Sequence, residues 1–311
     1  MNTSLTSLGN ERGLLNWRFI SRIRKIWPCL VWVFQGFLVI CPPQPVFSKD
    51  VTVERRYVLM WQVQKDVSDS DLALLAGKGV NLIQAFGIVN WNDDEIKTYL
   101  DKAEKHGMGV VFTMGGLFDK SKSELSFDSE RAKVLIGKWK EHPASFAWHP
   151  FDEPSHEKAM IPPHFLKEIY GFLKAEDPVG TVMISWNGTS DKHYDCCFSE
   201  EAFDLLDLHA YVREIPGERQ QRLIETFIKH RKKIYPVIIT IRSFNGGRKK
   251  RIPLPANGLR LQYDFFFKKH KITDNIGFYG WGLGNYRGIK DDPDLLRQFK
   301  ELNISNHLIK K

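Results

Sequence analysis

Two adjacent carboxylates, Asp152 and Glu153, close the run Phe146-Ala147-Trp148-His149-Pro150-Phe151-Asp152-Glu153-Pro154. The run is mostly apolar until it meets them and reads as a short buried strand. Proline cannot continue a ladder and biases the residue before it towards extended geometry, so the strand is predicted to stop at Glu153. Two carboxylates at the mouth of a buried element, with aromatic and imidazole side chains just behind, sit in low dielectric. That raises the pKa of an acid and suits it to proton donation near neutral pH. The same residues would serve equally to cap a following helix. Their position in the fold must decide between these roles.

The elements that could position them follow from the chain as a whole. Its 311 residues are 42% hydrophobic and 26% charged, enough for an ample core. The net charge is +8, but residues 1–48 hold Arg12, Arg18, Arg22, Arg24 and Lys25 against Glu11, so half of the excess lies there. The remainder is only mildly basic and gives no case for a nucleic-acid partner. Arg18, Arg22, Arg24 and Lys25 lead directly into Ile26 to Cys41, an uncharged apolar run, in the pattern of a charged region followed by a hydrophobic one. The run is shorter than the ~20 residues a spanning helix needs, and Pro42, Pro43 and Pro45 end it. Residues 1–48 are therefore expected to be a signal peptide or a membrane anchor. Residues 49–311 are expected to form one exported (periplasmic or secreted) or anchored domain that meets membrane only through that segment. Cys196 and Cys197 are adjacent, and neighbours rarely bridge each other; there is no CxxC and no zinc-ligand spacing.

From Lys49 onward strand and helix patterns alternate. Strands are predicted at 56–63, 80–86, 109–114, 146–153, 181–186, 206–211, 236–242 and 276–281. Helices are predicted at 68–78, 93–106, 128–141, 162–175, 199–205, 218–235, 259–270 and 293–302. Eight such units over about 255 residues are the signature of an α/β (β/α)8 TIM barrel. The near-continuous apolar strands suit parallel strands covered by helices.

In a barrel of this kind reactive groups gather at the C-terminal strand ends, which is where Asp152 and Glu153 fall. Trp61 and Gln62 end the first strand, Phe86 the second, Trp186 and Asn187 the fifth, and Tyr211 the sixth. Phe244 follows the seventh, Trp281 ends the eighth, and Trp91 lies in the second loop. Flat rings at so many mouths suit the apolar faces of sugars, while Asn, Gln and His bind hydroxyls. His209 and Arg242 lie at strand ends as well, and Trp148 just precedes the acids.

The run Trp148-His149-Pro150-Phe151-Asp152-Glu153-Pro154 resembles the fourth-strand motif of (β/α)8 glycoside hydrolases. In them a Glu before Pro is the general acid/base, and some members carry Asp-Glu-Pro there. Asp207-Leu208-His209-Ala210-Tyr211 resembles their sixth strand, Arg242-Ser243-Phe244-Asn245 the end of the seventh, and Gly277-Phe278-Tyr279-Gly280-Trp281 the eighth. The resemblance implies a carbohydrate substrate, hydrolysis and Glu153 as general acid/base. It also implies a nucleophilic Glu at the end of strand seven, and Ile239-Thr240-Ile241-Arg242-Ser243 contains no carboxylate. Two-carboxylate cleavage needs a second group ~5–5.5 Å away for retention or ~6.5–9.5 Å for inversion. Asp207, Glu214 and Asp152 are the candidates. Arg242 could instead pair with Glu153, which would suit a binder, so a non-catalytic carbohydrate-binding barrel stands as the alternative.

Other chemistries have weaker signals. Gly280-Trp281-Gly282-Leu283-Gly284 could cradle a phosphate, but a Trp interrupts the glycines. His209 lacks a nearby His partner for a metal, and no nucleophile elbow is present. No cofactor is implied. The run Arg248-Lys249-Lys250-Arg251 is a solvated loop or a contact for an acidic glycan.

Overall fold

The computed structural model describes residues 56–119, 126–155, 160–210, 217–246, 253–282, 286–302 and 304. The predicted leader, Tyr211, Glu214 and the Arg248–Arg251 run lie outside them. Eight strands succeed one another as β1 (Val58–Trp61), β2 (Leu82–Ala85), β3 (Gly109–Thr113), β4 (Ser145–His149), β5 (Thr181–Trp186), β6 (Leu205–His209), β7 (Val237–Arg242) and β8 (Asn275–Tyr279). Each pairs in parallel with its sequence neighbours, and β8 closes on β1 with Val58 opposite Ile276 and Trp61 opposite Tyr279. The protein is a (β/α)8 barrel, as the strand–helix alternation implies.

Helices α1 (Asp69–Gly77), α2 (Asp93–Lys105), α3 (Ser129–Trp139), α4 (Pro163–Glu176), α5 (Asp191–Cys197), α6 (Glu218–His230), α7 (Gly258–Tyr263) and α8 (Pro293–Glu301) follow the strands in turn. Their starts are written in the sequence. Ser68 accepts from the Asp71 N–H, Asn92 and Glu95 cap each other reciprocally, and Asp292 accepts from Asp294 and Leu295.

Strand parity divides the core in two. Leu59, Trp61, Leu82, Val111, Met183 and Ile238 fill the barrel interior, while intervening residues such as Val58, Met60, Phe112 and Ile239 pack with the helices. Gly277 on β8 lies opposite Thr240 on β7. A Cβ there would overlap the Thr240 hydroxyl and come 3.1 Å from the Thr240 Cα, so this approach requires glycine.

Several expectations need correction. β4 ends at His149 rather than Glu153, because Pro150 has no N–H to give a neighbour. The short helix of the fifth loop is Asp191–Cys197, not 199–205. Helix α6 stops at His230 instead of Tyr235: Arg231 leaves helical geometry, and its guanidinium donates to the Lys233 and Tyr235 carbonyls. Helix α7 continues as a π-helix over Asp264–His270. Cys196 and Cys197 are joined by a disulfide despite their adjacency. Two small antiparallel ribbons, Phe118–Asp119 with Ser126–Phe127 and Asn245–Gly246 with Tyr286–Arg287, decorate the C-terminal strand ends without a signal in the apolar pattern.

Candidate active site

Asp152 and Glu153 follow the C-terminal end of β4, on a turn anchored at both sides. The Phe151 carbonyl accepts from the Ser185 N–H at 3.2 Å, the Ser155 hydroxyl donates to Asn187 at 3.0 Å, and the Pro154 carbonyl accepts from Ile161 at 3.0 Å. Phe151 itself is packed among Phe118 and Phe165. On this anchored turn Glu153 takes φ 53°, and Gln62 at the end of β1 takes φ 62°. A left-handed backbone costs a non-glycine residue about 1–2 kcal/mol, and such strain collects where a side chain must be aimed. The extended geometry that Pro154 favours is thus not adopted at Glu153.

Glu153 is aimed at His209, whose Nδ1 lies 2.8 Å from its Oε1; the Asp152 carboxylate is 3.7 Å from the same nitrogen. On the other side of the ring, Nε2 stands 3.3 Å from Asp207 Oδ2. Asp207 also accepts from the Trp61 indole at 2.9 Å and the Thr240 hydroxyl at 2.6 Å. These contacts follow from register and parity: Asp207 and His209 are two apart on β6, Thr240 lies opposite His209 on β7, and Trp61 ends β1. A buried carboxylate requires such partners. Burial works against a charge on His209, but Asp207 and Glu153 outweigh it and push the imidazole up to about 10. His149, also inward and bonded to Ser185 at 2.8 Å, is pushed down to about 3, first by burial and then by repulsion from His209. The two buried histidines are thus shifted in opposite directions.

Trp61 is the hub of the surrounding rings. Its centroid lies 5.1 Å from His209, 5.3 Å from His149, and 5.8 Å from both Phe86 and Tyr279. Gln62 donates to the Tyr279 hydroxyl at 3.4 Å, and Phe244 packs on Tyr279 at 5.7 Å. Arg242, fully buried at the end of β7, donates through Nε to the Phe244 carbonyl.

Of the residues singled out from the sequence, Asp152, Glu153, Asp207, His209, Trp61, Gln62 and Phe86 are brought together here. Arg242 and Phe244 join them along the β7–β8 side, and Asn187 sits beside the Glu153 turn. Four tryptophans are not gathered. Trp148 packs on Phe112 and donates to Asp177, Trp186 packs on Tyr194 and Phe198, Trp281 packs on Phe299, and Trp91 packs on Tyr99. Trp148 and Trp186 have strand parity opposite to His149 and Ser185, and all four belong to the layer beneath the helices. Even Trp61 is fully buried, which leaves Phe86 and Tyr279 as the half-buried rings of this cluster among the described residues. Ser185 and Thr240 escaped the sequence reading, and His149 and Tyr279 entered it only within motifs; counting by twos from Ala147, Met183, Ile238 or Gly277 would have placed all four. Asp101, Glu104 and His142 form the candidate metal cluster among the described residues. It lies on the surface, and its histidine is engaged through Nδ1 by the Ala144 N–H and through Nε2 by Asp101.

No protein-family model matches the sequence, and no curated protein is similar enough to match. Solved structures do resemble the fold. A β-D-glucuronidase of Dictyoglomus thermophilum aligns with TM-score 0.54 and 13% identity over 81% of this chain and 53% of its own. The apo β-glucuronidase of Ruminococcus gnavus gives 0.51 and 12% over 75% and 46%. Bacteroides uniformis β-glucuronidase 2 gives 0.50 and 14% over 73% and 30%. The chain thus spans about half or less of these neighbours' length. At such identities the likeness is one of fold, a barrel of the kind found in glycosidases.

Proposed function

We propose that this barrel binds an oligo- or polysaccharide at the C-terminal strand ends and hydrolyses it, with Glu153 as general acid/base. The observation that carries the reading is Glu153 itself, held in strained backbone on the turn after β4, 2.8 Å from a buried imidazole whose ring lies 6.2 Å from that of Tyr279. The neighbours' names as β-glucuronidases and the Arg248–Arg251 run favour an acidic glycan. We further propose that residues 1–48 deliver or hold the barrel outside the cytoplasm. The test is release of reducing ends from a panel of neutral and uronic-acid glycans. Turnover is expected for the wild type and is expected to vanish in Glu153→Gln while the fold persists; a fully active Glu153→Gln would refute the assignment.

One observation favours a second reading, a carbohydrate-binding barrel without turnover. β7 ends in Arg242 with no carboxylate, and Asp207 is fully buried, bonded to Trp61 and Thr240, where no substrate bond reaches it. Asp152, 40% exposed, is then the second carboxylate of the mouth among the described residues, and Glu214 lies outside them. Glycan affinity dependent on Tyr279, with no product from any substrate, would establish this reading.

A further inference from the structure

Asp207 is a fully buried acid of the site. Its side chain is held from three strands, by Trp61 of β1, Thr240 of β7 and His209 of its own β6. Indole and hydroxyl donors stabilise a carboxylate but do not neutralise it. Among the described residues His209 is the one cation within ion-pair distance of Asp207. The other face of that ring meets Glu153 at 2.8 Å, with Asp152 at 3.7 Å. Nδ1 meets Glu153 in hydrogen-bonding geometry and Nε2 faces Asp207 at the ion-pair distance of 3.3 Å, an arrangement that favours a proton on each nitrogen.

The described groups of the other elements are placed as follows. His149 on β4 is neutral and engaged with Ser185 of β5. Tyr279 on β8 meets the ring 6.2 Å away, centroid to centroid. Arg242 on β7 directs its Nε to the Phe244 carbonyl. Trp61 closes the ring edge-on.

We propose that the resting proton of the site is carried by His209, with Asp207 as the positioning residue that keeps it there, so that Glu153 begins as a proton acceptor rather than a donor. This rests on the reading of Glu153 as the reacting carboxylate, and it reverses the role expected of a carboxyl surrounded only by apolar groups. Asp207 is thereby a positioning residue and not the second catalytic carboxylate.

The test is a nitrogen-resolved NMR titration of the imidazoles in the full chain, set beside the pH profile of glycan release. In the wild type His209 is expected to carry both N–H protons at pH 7 and to keep them well into the alkaline range. Asp207→Asn is expected to move its titration down by roughly 1–3 pH units and to shift the acidic limb of any turnover upward, with Asp207→Glu restoring part of both. A neutral His209 in the wild type at pH 7 overturns the proposal without recourse to any variant, as does an Asp207→Asn titration that superimposes on the wild type. An inert protein with a doubly protonated His209 would sink hydrolysis and leave the proton assignment standing; an active protein with a neutral His209 would do the reverse.

Discussion

Gly277→Ala probes the support of Asp207 from two residues away. Gly277 faces Thr240 across the β7–β8 pair, and Thr240 donates to Asp207 at 2.6 Å. The added methyl would overlap that hydroxyl and press to 3.1 Å on the Thr240 Cα, which is backbone and cannot swing aside. Losing a hydrogen bond to a buried charge costs about 1.5–3 kcal/mol, and overpacking a tight core costs about 1–3 kcal/mol. The gain from a stiffer unfolded chain offsets only about 0.4–1 kcal/mol. The net destabilisation is about 2–5 kcal/mol, a large share of a typical 5–15 kcal/mol. Urea unfolding measures it as a lower midpoint at unchanged slope. The steric and polar parts separate in a cycle with Thr240→Ala. That change removes the hydroxyl the methyl strikes, so the double variant should be more stable than the sum of the single losses allows. A Gly277→Ala protein within about 0.5 kcal/mol of the wild type, the size of an ordinary surface effect, would refute the reasoning.

Trp61→Phe keeps most of the ring packing but strips the indole donor from Asp207, and is expected to cost about 1.5–3 kcal/mol in the same assay; an unchanged midpoint would deny Asp207 its need for that donor. Gln62→Gly relieves a left-handed residue and should raise stability by up to about 1 kcal/mol while weakening glycan binding in calorimetry, and a less stable protein would count against strain at that site. The two buried histidines predict a stability optimum. His209 is raised to about 10, so its contribution is complete below the ordinary 6.5 and fades as pH climbs to 10. His149 is lowered to about 3, so its contribution is complete above 6.5 and fades as pH falls towards 3. Thermal melts should therefore peak near pH 6.5 as far as these groups decide it. His209→Gln should flatten the alkaline slope, and parallel wild-type and variant curves would show that the pairing contributes nothing.

The architecture was legible because it is carried by composition along the chain. Apolar runs bounded by Ser68, Asn92, Asp128 and Asp292 caps specify eight repeats, and eight parallel repeats have one closed arrangement. The position of the pair Asp152–Glu153 near the end of β4 was legible from Pro154, whereas the earlier stop at His149, set by Pro150, was not read from the sequence. The choice among tryptophans was not legible by residue type. Trp148 and Trp186 are separated from the inward His149 and Ser185 by a single position, and in a strand one position is the difference between cleft and helix layer. The vicinal cysteines and the positive φ at Glu153 and Gln62 have no signature in pattern at all. They depend on how particular turns are pinned by Ser185, Asn187 and the loops around them.

The closure of the last strand upon the first has a consequence for how the protein comes into being. Asp207 draws its donors from residues 61 and 240, and the neighbouring His209 meets residues 153 and 279, so no short portion of the polypeptide contains the finished site. While β8 is still missing, β1 and β7 each lack a partner along one side. The contacts among Asp207, His209 and Glu153 are thereby tied to closure of the ring, and they come together only when it is sealed.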